Sequence, residues 1–180
     1  MDFKIIDNFL SDFDYQLALS IVEDDNTTWR CGEIVFEELL KCPIQFNRQF
    51  SHFIHVEDKS TMYYLVLLPI LKILNIKDKN IIRAKINNNL ATENIIEHGF
   101  HIDTEIKSKT IIYYFNTNNG YTLFENGNKV ESISNRLIIF DSSMHHTGTT
   151  CTNKSNRYVL NINLDKINIP LPFQLFHYMF

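Results

Sequence analysis

The stretch from 81 to 164, IIRAKINNNLATENIIEHGFHIDTEIKSKTIIYYFNTNNGYTLFENGNKVESISNRLIIFDSSMHHTGTTCTNKSNRYVLNINL, decides the fold. Short runs rich in Ile, Tyr, Phe, Val and Thr alternate with Asn and Gly clusters, which is the pattern of strands divided by turns. The runs fall at 81–90, 99–104, 109–116, 121–125, 129–132, 136–141, 145–150 and 156–164. Asn118, Asn119 and Gly120 make one turn, and Glu125, Asn126 and Gly127 another; Asn and Gly tolerate the positive φ that tight antiparallel hairpins demand. About eight short strands with no helix between them predict an all-β core, a sandwich or jelly roll, rather than a parallel α/β sheet.

Upstream, residues 3–6 read as a short strand. Ser11 followed by Asp14 has the spacing of a capping box, and Phe13, Leu17 and Ile21 with Ala18 and Val22 recur at helical intervals, predicting a helix over 11–24. Residues 59–75 are apolar nearly all round, predicting a second, buried helix bent near Pro69. The expected layout is one domain over 1–180. It has helical support and first strands over 1–80, a core over 81–164, and a tail over 165–180 whose Phe173, Phe176, Tyr178 and Phe180 dock on the body or on a partner.

Composition narrows the function classes. Hydrophobic residues make up 44% and charged residues 21%, so neither disorder nor a fibrous repeat is indicated. The net charge is −4, with no basic tract dense enough to neutralise a run of phosphates, and nucleic acid is not an expected partner. Cys31, Cys42 and Cys151 form no CxxC and leave an odd count, which points to a reducing cytoplasm. Asp2, Lys4 and Asp7 are incompatible with a secretory apolar region, and the apolar run from Met62 to Leu71 contains Pro69 and falls short of the roughly 20 residues of a span, so no membrane is expected. Twenty asparagines and 24 isoleucines reflect compositional bias, so a run such as Asn87, Asn88, Asn89 is discounted.

The chemistry gathers around His101, Ile102, Asp103. On a strand the imidazole and the carboxylate at i and i+2 project from one face. A second histidine from a distant strand would complete a two-histidine, one-carboxylate triad, which leaves positions on iron(II) open. His145 and His146 are the candidates, and alternation alone does not choose between them. Arg157, eleven residues after His146 and the last arginine of the chain, offers a fork that grips a carboxylate bidentately.

The ordered set His101, Asp103, His146, Arg157 resembles the iron(II)/2-oxoglutarate-dependent dioxygenase superfamily. The stretch 81–164, including YYFNTNNGYTLFENG and NRLIIFDSS, is similar to the small prolyl-hydroxylase-like oxygenases of marine bacteria and their viruses. In that family the metal ligand lies six residues after the Phe and two before the Gly of an element like FDSSMHHTG, which selects His146. The resemblance implies a double-stranded β-helix with flanking N-terminal helices. It further implies Fe(II) on His101, Asp103 and His146, 2-oxoglutarate as co-substrate with its far carboxylate on Arg157, and O2 as oxidant. The implied reaction is hydroxylation of a C–H bond in a protein side chain, proline among the candidates, or in a small metabolite, with release of succinate and carbon dioxide. Tyr113 is expected to join Arg157 on the far carboxylate and Asn89 to reach the metal-side carboxylate, with Tyr114 and Asn87 as competitors. Family halogenases carry a small residue where Asp103 stands, which favours hydroxylation, and Asn163 stands where nucleic-acid dealkylases carry a second arginine.

Other readings stay in view: a cupin-like metal protein that does without 2-oxoglutarate, or an inactive jelly-roll module that binds a partner. Several residues have plainer expectations. His98 belongs to a loop or the substrate mouth, His145 to the wall and His52 and His55 to a surface loop, while Arg136 is a structural or surface charge. Trp29 and Arg30 either border the substrate entrance or pack.

Overall fold

The computed structural model describes residues 3–105 and 108–165. The chain opens with strand β1 (Phe3–Ile6) and helix α1 (Asp12–Val22). Ser11 caps α1: its Oγ accepts from the Asp14 backbone N–H at 3.2 Å and donates to the Asp14 carboxylate at 2.7 Å. The predicted apolar stripe is shifted, because Ala18, Ile21 and Val22 are buried while Phe13 is 76% exposed. Two strands that the sequence reading missed follow, β2 (Arg30–Gly32) and β3 (Gln49–Ile54), so His52 sits on a strand rather than a loop. Helix α2 (Met62–Ile73) contains Pro69 and buries Val66, Leu67, Ile70 and Leu71, although Met62 and Leu65 remain exposed.

The remaining strands are β4 (Ile81–Leu90), β5 (Lys109–Tyr114), β6 (Tyr121–Phe124), β7 (Lys129–Glu131), β8 (Arg136–Asp141), β9 (His146–Gly148) and β10 (Asn156–Leu164). All pairings are antiparallel. They build a seven-stranded sheet of order β1-β8-β5-β10-β4-β3-β2 and a three-stranded sheet of order β7-β6-β9. The expected all-β core with flanking helices is therefore present. One predicted strand is not: 99–104 is irregular, joined to the rest by a single bridge from His101 to His146. The aromatic tail beyond Asp165 lies outside the described residues. No described helix is long and apolar enough to cross a membrane.

Alternation divides the large sheet into two faces. Ala84, Ile86, Ile111, Tyr113, Leu137, Ile139, Leu160 and Ile162 share a core with α1 and α2. Ile112, Tyr114, Ile138, Phe140 and Val159 pack instead with Phe124 and Val130 of the small sheet. The Phe124 ring stacks on Phe3 at 4.8 Å and meets the Phe140 ring edge-on at 5.0 Å, closing the sandwich at one end.

Asn135, at φ 58°, ties the N-terminal segment to this sandwich. Its side-chain oxygen accepts from the Leu10 N–H and the Tyr113 hydroxyl, both at 2.9 Å, and its amide donates to the Leu10 carbonyl at 3.0 Å. Replacing Asn135 by Ala strands three buried polar groups, so we expect urea denaturation to show a loss of about 2–4 kcal/mol.

Candidate metal and co-substrate site

The two sheets enclose a cleft of about 540 Å³, counting its open mouth, lined by His101, Asp103, His146 and Arg157 among others. His101 and His146 are register partners that exchange both backbone hydrogen bonds at 3.0 Å, so their side chains share a face and their ring centroids lie 4.9 Å apart. Asp103 arrives from the irregular segment, not from a strand as expected. At the start of that segment Gly99 is pressed against the backbone of Leu39; an added Cβ there would stand 2.1 Å from the Leu39 carbonyl oxygen.

The three side chains converge, their ligand atoms lying within 4.8 Å of one another. His101 Nδ1 faces the Gly99 carbonyl at 3.2 Å and His146 Nδ1 faces the Met144 carbonyl at 3.0 Å. A carbonyl only accepts, so each Nδ1 carries the proton and each Nε2 lone pair is left for a metal. Burial, with His146 beside it, brings the His101 imidazole down to about 4, so it is neutral near pH 7 as a ligand must be.

Asp103 is 5% exposed at its side chain and is held on both oxygens. Arg83 Nη2 donates to Oδ1 at 3.3 Å and Asn161 Nδ2 donates to Oδ2 at 2.9 Å, while His146 Nε2 lies 3.5 Å from Oδ2. Burial alone pushes this carboxyl up, but His146, the Asn161 amide, His101 and Arg83 outweigh it and hold it below the ordinary carboxylate range. Arg83 is in turn fixed by Asn163, whose Oδ1 accepts from Nε at 2.9 Å.

Arg157 is 2% exposed, and among the described residues no carboxylate pairs with it. Its Nε donates to Ser132 Oγ at 2.8 Å, its Nη2 approaches Thr122 Oγ1 at 3.4 Å, and its guanidinium lies 5.6 Å from the Tyr114 ring centroid. Gly120, in the turn read from the sequence, makes room for it; an added Cβ would stand 2.7 Å from Arg157 Cδ. A guanidinium buried without a counter-charge is costly unless an anion completes it.

The cofactor-side expectations fare unevenly. Tyr113 is not brought to the site: it faces the helix-side core and donates to Asn135, because alternation on β5 turns Tyr114 toward Arg157 instead. Asn89 does line the cleft, yet it is the register partner of Arg157 and so stands at the clamp end, with Asn87 two residues nearer the metal end. His145 turns away toward Glu125 at 3.7 Å and is half exposed. His98, expected in a loop or at the mouth, is 1% exposed, lines the cleft and bonds the Gly148 carbonyl through Nδ1 at 3.0 Å. The sequence reading missed Arg83, Lys85, Asn161, Thr122 and Ser132. The first three were legible in principle, since Arg83, Lys85, Asn87 and Asn89, and likewise Arg157, Val159 and Asn161, share a face at period two.

No family model matches the chain, and no curated protein matches it by sequence. Solved structures do match. A prolyl hydroxylase in complex with a hypoxia inducible factor oxygen degradation domain peptide fragment, from Trichoplax adhaerens, is 16% identical, with 91% of this chain and 83% of that chain covered at a TM-score of 0.59. A 2OG-Fe(II) oxygenase family oxidoreductase from Burkholderia pseudomallei is 12% identical, covering 93% and 86% at a TM-score of 0.63. The viral collagen prolyl hydroxylase of Paramecium Bursaria Chlorella virus-1 is 13% identical, covering 92% and 91% at a TM-score of 0.51. The chain therefore has the fold of 2-oxoglutarate and iron(II) oxygenases, and within them its likeness includes prolyl hydroxylases. At these identities the likeness speaks for the fold, and the chemistry must be argued from the site.

Equilibrium dialysis tests the metal end. His146→Ala is expected to abolish binding of one divalent ion and His145→Ala to leave it intact; the reverse pattern would show that the other imidazole is the ligand.

Proposed function

We propose that this chain is a single-domain iron(II)- and 2-oxoglutarate-dependent dioxygenase that hydroxylates a C–H bond. The carrying observation is a buried Arg157, with no carboxylate partner among the described residues, in the same cleft as His101, Asp103 and His146. The donor set fits the ion, because two Nε2 lone pairs and one carboxylate converge from one side and leave coordination positions open. Iron(II) bound there would supply the redox chemistry with oxygen and the co-substrate, ending in succinate, carbon dioxide and a hydroxylated product.

The chain's own part is positioning and exclusion. Arg83 and Asn161 fix the Asp103 carboxylate so that the anion needs no reorganisation to meet a cation. Arg157, braced by Ser132 and by Thr122, which also accepts from the Tyr114 hydroxyl at 2.8 Å, would receive the far carboxylate of 2-oxoglutarate. Between clamp and triad the cleft carries Ile112 and Val159, which present no competing donor to the methylenes of a five-carbon diacid. Arg157 and Asn161 are four residues apart on one face of β10, about 13 Å of strand. Two side chains reaching inward from those ends leave a span suited to such a diacid. The acceptor would be a protein side chain, proline among the candidates, or a small metabolite, and the setting cytoplasmic, that of the host if the chain is viral.

Iron(II) and 2-oxoglutarate under nitrogen are expected to give a weak visible charge-transfer band, whose absence with metal loaded would favour a cupin-like protein. Arg157→Ala should retain iron while weakening 2-oxoglutarate by about 2–5 kcal/mol, the range for truncating one partner of a buried charge pair. Unchanged affinity would remove Arg157 from this role.

A further inference from the structure

Among the polar groups of the cleft that the chemistry above does not use, two lie side by side. Lys85 lines the cleft from β4 and makes no hydrogen bond or ion pair among the described residues. Asn161 is 6% exposed, and its Oδ1 has no partner among the described residues. The Asn161 amide cannot turn over to relieve this, because its Nδ2 already donates to Asp103 Oδ2 at 2.9 Å and a carboxylate accepts only. An acceptor is therefore fixed in the cleft, waiting for an N–H or O–H.

Lys85 and Asn161 are register partners on adjacent antiparallel strands and share the cleft face, which puts their Cβ atoms about 5 Å apart. This places an unpaired cation beside an unpaired acceptor. The pair lies at the Asp103 end. Lys85 is four residues from Asn89, the register partner of Arg157, so about 13 Å of strand separates Lys85 from the clamp, and both cannot hold the same carboxylate. In the oxygenase reading, on which this inference rests, the charges of the ion, Asp103, a bound dicarboxylate and Arg157 cancel, and Arg83, with about a third of its side chain exposed, keeps contact with solvent. Lys85 remains uncompensated in a desolvated setting, and burial has already brought its ammonium down to about 8.

We infer that Lys85 Nζ and Asn161 Oδ1 form the acceptor-substrate subsite, and that its substrate presents a carboxylate beside an N–H: a free amino acid or the C-terminal residue of a peptide. The ammonium takes the carboxylate, and Oδ1 accepts from the nitrogen on the neighbouring carbon. An internal peptide residue lacks the carboxylate, and an internal proline lacks the N–H as well.

Binding to the wild-type protein loaded with iron(II) and 2-oxoglutarate under nitrogen tests this, read as the probe-induced shift of the charge-transfer band. The probes are the L-amino acids, their N-acetyl derivatives and their C-terminal amides. At least one free or N-acetylated acid is expected to bind, with its amide weaker by about tenfold or more, as for loss of a hydrogen bond to a charged group. Lys85→Met should weaken that acid by a similar factor and Lys85→Arg should restore most of it, with the unshifted band present in both. A response to free acids identifies a metabolite, and one to N-acetylated acids a chain terminus; either supports the subsite. Equal binding of acids and amides, no effect of Lys85→Met, or silence from every acid in the presence of a normal band would overturn it. A wild-type protein with no band would instead overturn the oxygenase reading and this inference with it.

Discussion

The register of β10 is the constraint on which the rest depends. One set of alternate residues, Tyr158, Leu160, Ile162 and Leu164, is built into the core beneath the helices. The other set, Arg157, Val159 and Asn161, lines the cleft. A slip of one residue would drive a guanidinium and an asparagine amide into that core and turn four largely apolar side chains into the cleft. The strand is gripped on both sides, by β4 along nearly its whole length and by β5 from Val159 to Asn163. Burial of the apolar set thus fixes the separation of Arg157 from Asn161, and through Asn161 the place of Asp103.

Charges within this frame are handled unequally, and the inequality carries the functional argument. Asp103 is nearly fully buried yet supported on both oxygens, so its charge is retained where it is needed. Arg157 is as deeply buried and, among the described residues, receives only hydroxyl partners, which orient it without neutralising it. Stability alone would favour an apolar residue or a paired carboxylate there. That unneutralised guanidinium is what the proposed dicarboxylate site calls for.

The sequence made much of this legible, for physical reasons that also explain where reading failed. Period-two alternation and Asn/Gly turns placed most strands beyond residue 80, because their pattern is set by a two-sided sheet whose faces differ in polarity. The strand 109–114 is buried on both faces, and its run KTIIYY carries no alternation; nothing local tells Tyr113 from Tyr114, and the tyrosine favoured is the one that faces the helices. Strand β3, QFSHFI, lies near an edge, and its mixed polarity hid it. The segment 99–104 looked like a strand because His101 and Asp103 are two apart, yet only His101 pairs. Their convergence comes instead from one backbone bridge and a loop held against Leu39. Lys85 and Asn161 sit in AKINNN and LNINL, where discounting asparagine as compositional bias also discounted two alternating polar faces.

The two arginines that serve the site differ in exposure, and the difference matches what each one touches. Arg157 is 2% exposed, whereas the Arg83 side chain, beside Asp103, is 36% exposed. In the oxygenase reading the deeper guanidinium, already stripped of water, loses little hydration when a carboxylate meets it, whereas Arg83 keeps much of its hydration and serves to steady Asp103.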